Sequence, residues 1–510
     1  MKRQIPMIFA CQFLALMVTA WIFRHTLNSD AVAYLELARH YADGQWSLAI
    51  AGVWSPLISW SLAVLFKIGL PPLVAARVFM IISAMTFLWG SLRLFRRLEL
   101  SRPALVCGLW VMAFLSVPWS VENITPDLLV AGLVAMAVSL MASPRWIEKP
   151  ESSLLCGIIW GVSFLCKSVA LPLGIATFVA LVLWHWNKFV GQRRKIFRAL
   201  SAAFAGIILT VAPWIMVLTC HYGTFTVASS ASYNHALVGP KEDASRFLID
   251  AGLHTPPAGR VTVWEDPIAL RPDWSPFASW SNAMHQAKVI LKNIPTVLLM
   301  LSGVCVIFPC LLLLAIARAS KHKLFPQNCW LPFLPVLFLG ALYLPNYLMF
   351  TEERYFYPAA PLLFATAVMC RNWRGIGLLL IAASFIVPNV LRAGIRLNAL
   401  HGTGEYAHDL AANIMEKQLF GPVAGSGKIS GGRVGLYIAW WLQQPWFGDE
   451  PVPNADDYRH SGASLLATIR GGEIARQLAA DPNVRDLDRE LFPTPAEAEK
   501  CPVKIFHVSE

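Results

Sequence analysis

The sequence predicts a polytopic α-helical membrane protein of about 11–13 transmembrane helices with a small C-terminal soluble α/β domain. Three observations predict it. Of 510 residues, 56% are hydrophobic and 14% charged, whereas soluble domains carry roughly a quarter charged residues, which excludes an ordinary soluble enzyme. Apolar runs of membrane-spanning length recur through residues 1–395. The charge also changes sign along the chain, +15 before residue 396 and −4 from there on, within a total of +11.

Apolar runs place spans near 5–23, 73–92, 104–119, 128–143, 152–166, 169–186, 200–220, 287–317, 330–349, 356–370 and 375–393. The first follows Met1-Lys2-Arg3 and exceeds the roughly 7–15 residues of a signal-peptide core, so we expect a retained span. The run from Pro56 to Leu70 is only 15 residues long, contains Lys67 and ends at Gly69-Leu70-Pro71-Pro72. If it only dips into the outer interface, the basic clusters Arg93 to Arg102, Arg145/Lys149, Lys188 to Arg198, Arg318/Lys321/Lys323 and Arg371/Arg374 all fall on the cytoplasmic side. A crossing would place the first of them outside. We therefore expect the dip.

The same pattern explains the basic surplus without nucleic acid, for which no motif is present. The ten cysteines show neither CxxC nor zinc spacing and read as small buried hydrophobes. From residue 396 the composition becomes that of a soluble domain, with helix-like Ala407 to Leu419 and Val434 to Leu442, apolar Pro422-Val423-Ala424, Ala463 to Ile469, and a terminal Val503 to Val508 strand pattern.

With this topology one face collects loop 24–56, the turn 120–127, the turn at Lys167, loop 221–286, the Glu352-Glu353-Arg354 turn and residues 396–510. A transporter is expected to hold its ionisable groups near the bilayer midplane instead. Asp30 opens an amphipathic helix with Tyr34 on its apolar face; the carboxylate suits a general base or a helix cap. Asp127 follows Thr125-Pro126 at the start of a span, where it orients an acceptor or complements the helix dipole. Lys167, in an apolar stretch, needs a partner such as a phosphate or must snorkel to the surface. Arg354 can grip a phosphate bidentately, beside Glu353, Tyr355 and Tyr357, or belong to an interfacial aromatic belt.

Asn234 and His235, in a loop with several tryptophans, suit carbohydrate contacts. With Tyr34, Glu353 and Tyr355 they are the expected substrate-binding residues. His235, His254 and His285 lack metal-site spacing, and no metal site is assigned. A divalent cofactor stays open, because Asp30, Asp127 and Glu122 supply oxygen ligands if the fold brings them together. There is no convincing HExxH, Walker A, GxSxG or GxGxxG motif.

Asp30 after the first span, Trp54-Ser55-Pro56-Leu57, Thr125-Pro126-Asp127, Phe164-Leu165-Cys166-Lys167 and Arg354-Tyr355-Phe356-Tyr357-Pro358-Ala359-Ala360-Pro361 resemble the GT-C membrane glycosyltransferases, nearest to the bacterial protein O-mannosyltransferase and aminoarabinose transferase group. The motifs are short, and their order over residues 1–395 carries the likeness. The resemblance implies inverting transfer of a sugar from a polyprenyl-phosphate donor to a lipid, glycan or protein acceptor. It also implies the periplasmic face of a bacterial inner membrane, with the N-terminus cytoplasmic and residues 396–510 periplasmic. By matching position, Asp30 is the general base, Asp127 an acceptor- or metal-orienting carboxylate, and Lys167 and Arg354 donor-phosphate ligands. Asp30-Ala31 replaces a frequent Asp-Glu pair, so the acceptor class is open. The alternatives are a flippase for lipid-linked sugars and a non-catalytic envelope-polysaccharide assembly protein.

Overall fold

The computed structural model describes residues 3–143, 145–188, 190–240, 252–271, 273–319, 330–346, 352–370, 373–425, 428–429, 432–449 and 455–508. Lys321, Lys323, Arg371, Thr351 and parts of loop 221–286 lie outside them. The helices are α1 (Gln4–Ile22), α2 (Ser29–Ala42), α3 (Trp46–Ala49), α4 (Leu57–Lys67), α5 (Pro72–Arg97), α6 (Arg102–Glu122), α7 (Asp127–Met141), α8 (Arg145–Glu148), α9 (Pro150–Cys166), α10 (Ala170–Lys188), α11 (Arg193–Tyr222), α12 (Ser230–Leu237), α13 (Trp280–Val304), α14 (Phe308–Ala319), α15 (Trp330–Tyr343), α16 (Ala359–Met369), α17 (Ile376–Glu416) and α18 (Val434–Leu442), followed by four short helices between Ala455 and Lys500. Among the described residues, α1, α5, α6, α11, α13 and α17 are long and apolar enough to cross a membrane, and shorter apolar helices pack with them.

Helix α4 sets the parity of the later spans. Its 11 residues rise only about 16 Å, short of the roughly 30 Å hydrocarbon core. Buried Arg77 in the second turn of α5 donates to the carbonyls of Phe23 and Thr26, 2.6 Å each. The start of α5 therefore lies beside the end of α1, while Arg102 meets Gln4 at the opposite end of the bundle. The chain returns to the end it left, as the dip requires.

Two expected spans differ. The run 287–317 is broken where Cys305 leaves helical geometry (φ −149°, ψ 108°) and the Val306 amide donates to Ser384 O at 3.0 Å, so it becomes α13 and α14. The run 375–393 is only the first part of α17, whose 41 residues extend about 60 Å. That helix continues through residue 396, where the expected soluble domain begins, and connects the two regions.

Between helices, close backbone approach replaces the hydrophobic driving force that lipid removes. Gly157 of α9 lies against α11, where a Cβ would overlap the Ala203 carbonyl, and Gly132 of α7 lies against the backbone of Thr86 and Phe87 in α5.

The strands are β1 (Gly252–Leu253), β2 (Val423–Ala424), β3 (Lys428–Ile429), β4 (Gly432–Arg433), β5 (Gly448–Asp449), β6 (Leu465–Ile469), β7 (Val484–Asp486) and β8 (Val503–Val508). The C-terminal sheet has the order β2-β6-β8-β7, parallel between β2 and β6 and antiparallel elsewhere. Its inner strand β6 is the Ala463 to Ile469 stretch, and β8 is the terminal alternating pattern. The antiparallel pair β1–β5 ties the loop after α12 to the C-terminal region.

Candidate active site

A cavity of about 720 Å³ opens at the end of the bundle where α1 finishes and α5 begins, and each segment assigned to one face by sequence contributes to its lining. Asp30 enters from the first turn of α2. The extended N-cap Asn28 accepts a 2.9 Å hydrogen bond from the Ile124 amide, which clamps this loop to the 120–127 turn. No side chain caps α2 among the described residues; the Asp30 carboxylate instead accepts from Arg354 Nη2 at 2.6 Å. Its cap role is thereby displaced by an ion pair spanning 324 residues of sequence.

Asp127 is the first residue of α7, preceded by Pro126, and Lys167 is the extended residue that ends α9. Both helices present these ends to the cavity, and the lysine ammonium pairs with the Asp127 carboxylate. Arg354 sits in a 3-10 turn, Glu353–Phe356, between α15 and α16. It pairs with Glu352 and lies 4.0 Å from Asp127, so the four predicted residues form one network. Two cations thus serve three carboxylates. Burial disfavours charge on Arg354, but Glu352 and Asp30 outweigh it and hold the guanidinium protonated. Burial also holds the Glu352 carboxyl above its ordinary range, against the pull of Arg354.

The aromatic floor supports the cations. The Lys167 ammonium stands 3.8 Å from the centroid of the Tyr355 ring, and that ring stacks on Tyr343 at 5.1 Å. Tyr34 lines the cavity and meets Trp54 edge-on; burial raises its phenol well above the ordinary value. Asn234 and His235 also line it, the latter held by Gln286 at 3.1 Å. Glu353 does not line the cavity. It pairs with Arg392 of α17 and abuts Gly303, leaving Glu352 as the cavity carboxylate of that turn.

Sequence reasoning missed what the C-terminal region brings. Arg396 and Leu400 of α17, Arg433 of β4 and Tyr437 of α18 complete the wall. Arg396 pairs with Glu122 at 2.8 Å. The signal for Arg396 was its place just beyond the last apolar run; Arg433 had none. Of the carboxylates offered for a metal, Glu122, Asp30 and Asp127 each hold a cation already, and no group of three His, Cys, Asp or Glu side chains suited to a metal ion occurs among the described residues.

The helical membrane bundle, with acids and cations converging at one end, is similar in fold to solved GT-C membrane glycosyltransferases. Residues 54–216 match the family model for dolichyl-phosphate-mannose-protein mannosyltransferase, a segment that contains Asp127 and Lys167. The particular likeness in solved structures is to ArnT from Cupriavidus metallidurans, crystallised bound to undecaprenyl phosphate. It is 14% identical, with a TM-score of 0.57 over 98% of this chain and 97% of that one. The arabinofuranosyltransferase AftD from Mycobacteria is 13% identical with a TM-score of 0.44, covering 98% of this chain and 40% of that one. No curated protein matches by sequence.

Proposed function

We propose that this chain is an integral-membrane glycosyltransferase that moves a sugar from a polyprenyl-phosphate donor to an acceptor at the periplasmic face of a bacterial inner membrane. The observation that carries the reading is the linkage of Asp30, Arg354, Asp127 and Lys167 in one cavity at the end of the bundle. In the reaction the acceptor oxygen or nitrogen attacks the anomeric carbon, the bond from that carbon to the phosphate oxygen breaks, and the acceptor proton passes to Asp30. Attack opposite the leaving group inverts the anomeric centre. Lys167 and Arg354 stabilise the departing polyprenyl phosphate, whose charge grows in the transition state. Asp127 keeps Lys167 in place and orients the acceptor.

The ion pairs give this scheme an order of events. Arg354 is shared by Asp30 and Glu352, so a donor phosphate competes with both for the guanidinium. Donor binding thereby loosens Asp30 and leaves its carboxylate to accept a proton. The basic clusters at the opposite end of the bundle support a cytoplasmic N-terminus and a periplasmic cavity. The decisive experiment is transfer of labelled sugar from a polyprenyl-phosphate donor by purified protein. Asp30→Asn is expected to reduce turnover by about 10²–10⁴-fold while thermal unfolding stays near wild type. Undiminished turnover by that variant overturns the assignment of the base.

A further inference from the structure

We propose that a second pocket, on the flank of the bundle, holds the phosphate headgroup of an anionic bilayer phospholipid. The pocket has a volume of about 390 Å³ and is lined by Arg24 and His25 after α1, Arg39 of α2, Leu73 at the start of α5, and Trp440 and Trp441 of α18. It shares no lining residue with the larger cavity.

Its height is set by the helices that form it. Arg24 comes directly after the last turn of α1 and Leu73 lies in the first turn of α5, both of spanning length and composition. The pocket therefore sits where hydrocarbon gives way to headgroups. Trp21, Ile22 and Val74 beside it are exposed apolar side chains, a surface that acyl chains cover.

The chemistry of the lining selects the headgroup. Two arginines reach it and, among the described residues, no carboxylate lines it; Glu36 and Glu405 stand behind it, 3.4 Å from Arg39 and 3.1 Å from His25. Arg24 is held against its own helix end by Trp21 O at 3.3 Å. Trp440, only 2% exposed, and Trp441 give the pocket an aromatic wall. Phosphate oxygens accept from guanidinium N–H groups, and a lipid phosphate supplies them at this depth. A bound headgroup would bridge α1 and α5 to α18, which also walls the larger cavity through Tyr437.

The test uses purified full-length protein in detergent, exposed to equal phosphatidylglycerol and phosphatidylcholine and read by native mass spectrometry. Wild type is expected to retain phosphatidylglycerol preferentially. Arg24→Gln/Arg39→Gln is expected to lose that preference by about fivefold per arginine. Val74→Trp, which fills the mouth without changing charge, is expected to lose retention as well, with thermal unfolding reporting that each variant is folded. Equal retention of both lipids by wild type, undiminished retention in both variants, or displacement of phosphatidylglycerol by millimolar inorganic phosphate each overturns the proposal. Sugar transfer plays no part in this readout, so it stands or falls separately from the proposed activity.

Discussion

At its N-terminal end, helix α2 gives Asp30 to a cluster of three carboxylates and two cations facing a large cavity. About 9–15 Å further along the same helix, Glu36 and His40 enter a second cluster behind the smaller pocket, which only its Arg39 and Gln443 reach. His40 Nε2 lies 3.0 Å from Glu265 and its Nδ1 2.7 Å from Gln45. Glu36 meets Arg39 at 3.4 Å and Gln443 at 3.3 Å. Glu265 closes a capping box with Thr262. The closed cluster joins partners up to 407 residues apart in sequence, and it anchors α2 to loop 252–271 and to α18. The open cluster draws on four distant segments, and its two cations, Lys167 and Arg354, both line the cavity. Both clusters are buried and charged, and they differ in whether their carboxylates reach open space: Asp30, Asp127 and Glu352 do, Glu36 and Glu265 do not.

The largest expected effect that separates them is Arg354→Ala. Loss of this guanidinium leaves Asp30 and Glu352 as facing carboxylates with no shared cation, and breaking a buried pair costs about 3–5 kcal/mol. Both the thermal midpoint and sugar transfer should fall, transfer to background. Lys167→Gln removes the ammonium but keeps a donor for Asp127. The expected result is a smaller stability loss with about a 10²-fold lower kcat/KM for the lipid-linked donor. A Lys167 variant with normal donor kinetics would move the leaving-group site elsewhere in the cavity and erase the contrast.

The closed cluster should answer to pH rather than to donor. Burial pushes Glu36 up to about 7 from its ordinary 4.5, against the pull of Arg39. His40 also stands above its ordinary value, because the hydrogen bonds to Glu265 and Gln45 outweigh its burial. A raised carboxyl is fully accommodated below about 4.5 and costs stability as pH rises toward about 7. Raised His40 adds stability at low pH and loses it as pH rises through its folded value, so both slopes have the same sign. Glu36→Gln should reduce the loss of unfolding free energy across that window by on the order of 1–3 kcal/mol, read as a flatter fall in thermal midpoint. Equal pH slopes in variant and wild type would show that the cluster keeps Glu36 ionised.

Much of this site was legible in the sequence for a physical reason. A charge in an apolar chain is expensive, so each of Asp30, Asp127, Lys167 and Arg354 stood out, and the positive-inside pattern put all four on one side. What pattern reading could not supply was pairing between segments hundreds of residues apart, which is why Asp30 read equally well as a helix cap. Arg433 was hidden because a basic residue in a soluble region carries no such penalty. The break at Cys305 was hidden because both halves are apolar.

The smallest expected effect concerns two neighbours that composition cannot tell apart. Glu352 and Glu353 stand at the start of a 3-10 turn, in which successive residues point about 120° apart. One therefore faces Arg354 and the cavity while the other faces Arg392. Glu353→Gln removes an ion pair whose side chains are 23% and 24% exposed, and should lower the thermal midpoint while leaving turnover within about twofold of wild type. Glu352→Gln takes a carboxylate from the Arg354 network and should shift donor KM more than its neighbour does. If instead Glu353→Gln carries the larger kinetic defect, the turn is rotated by one residue in the working protein, and Arg354 would no longer meet Asp30 in the geometry on which the proposed mechanism rests.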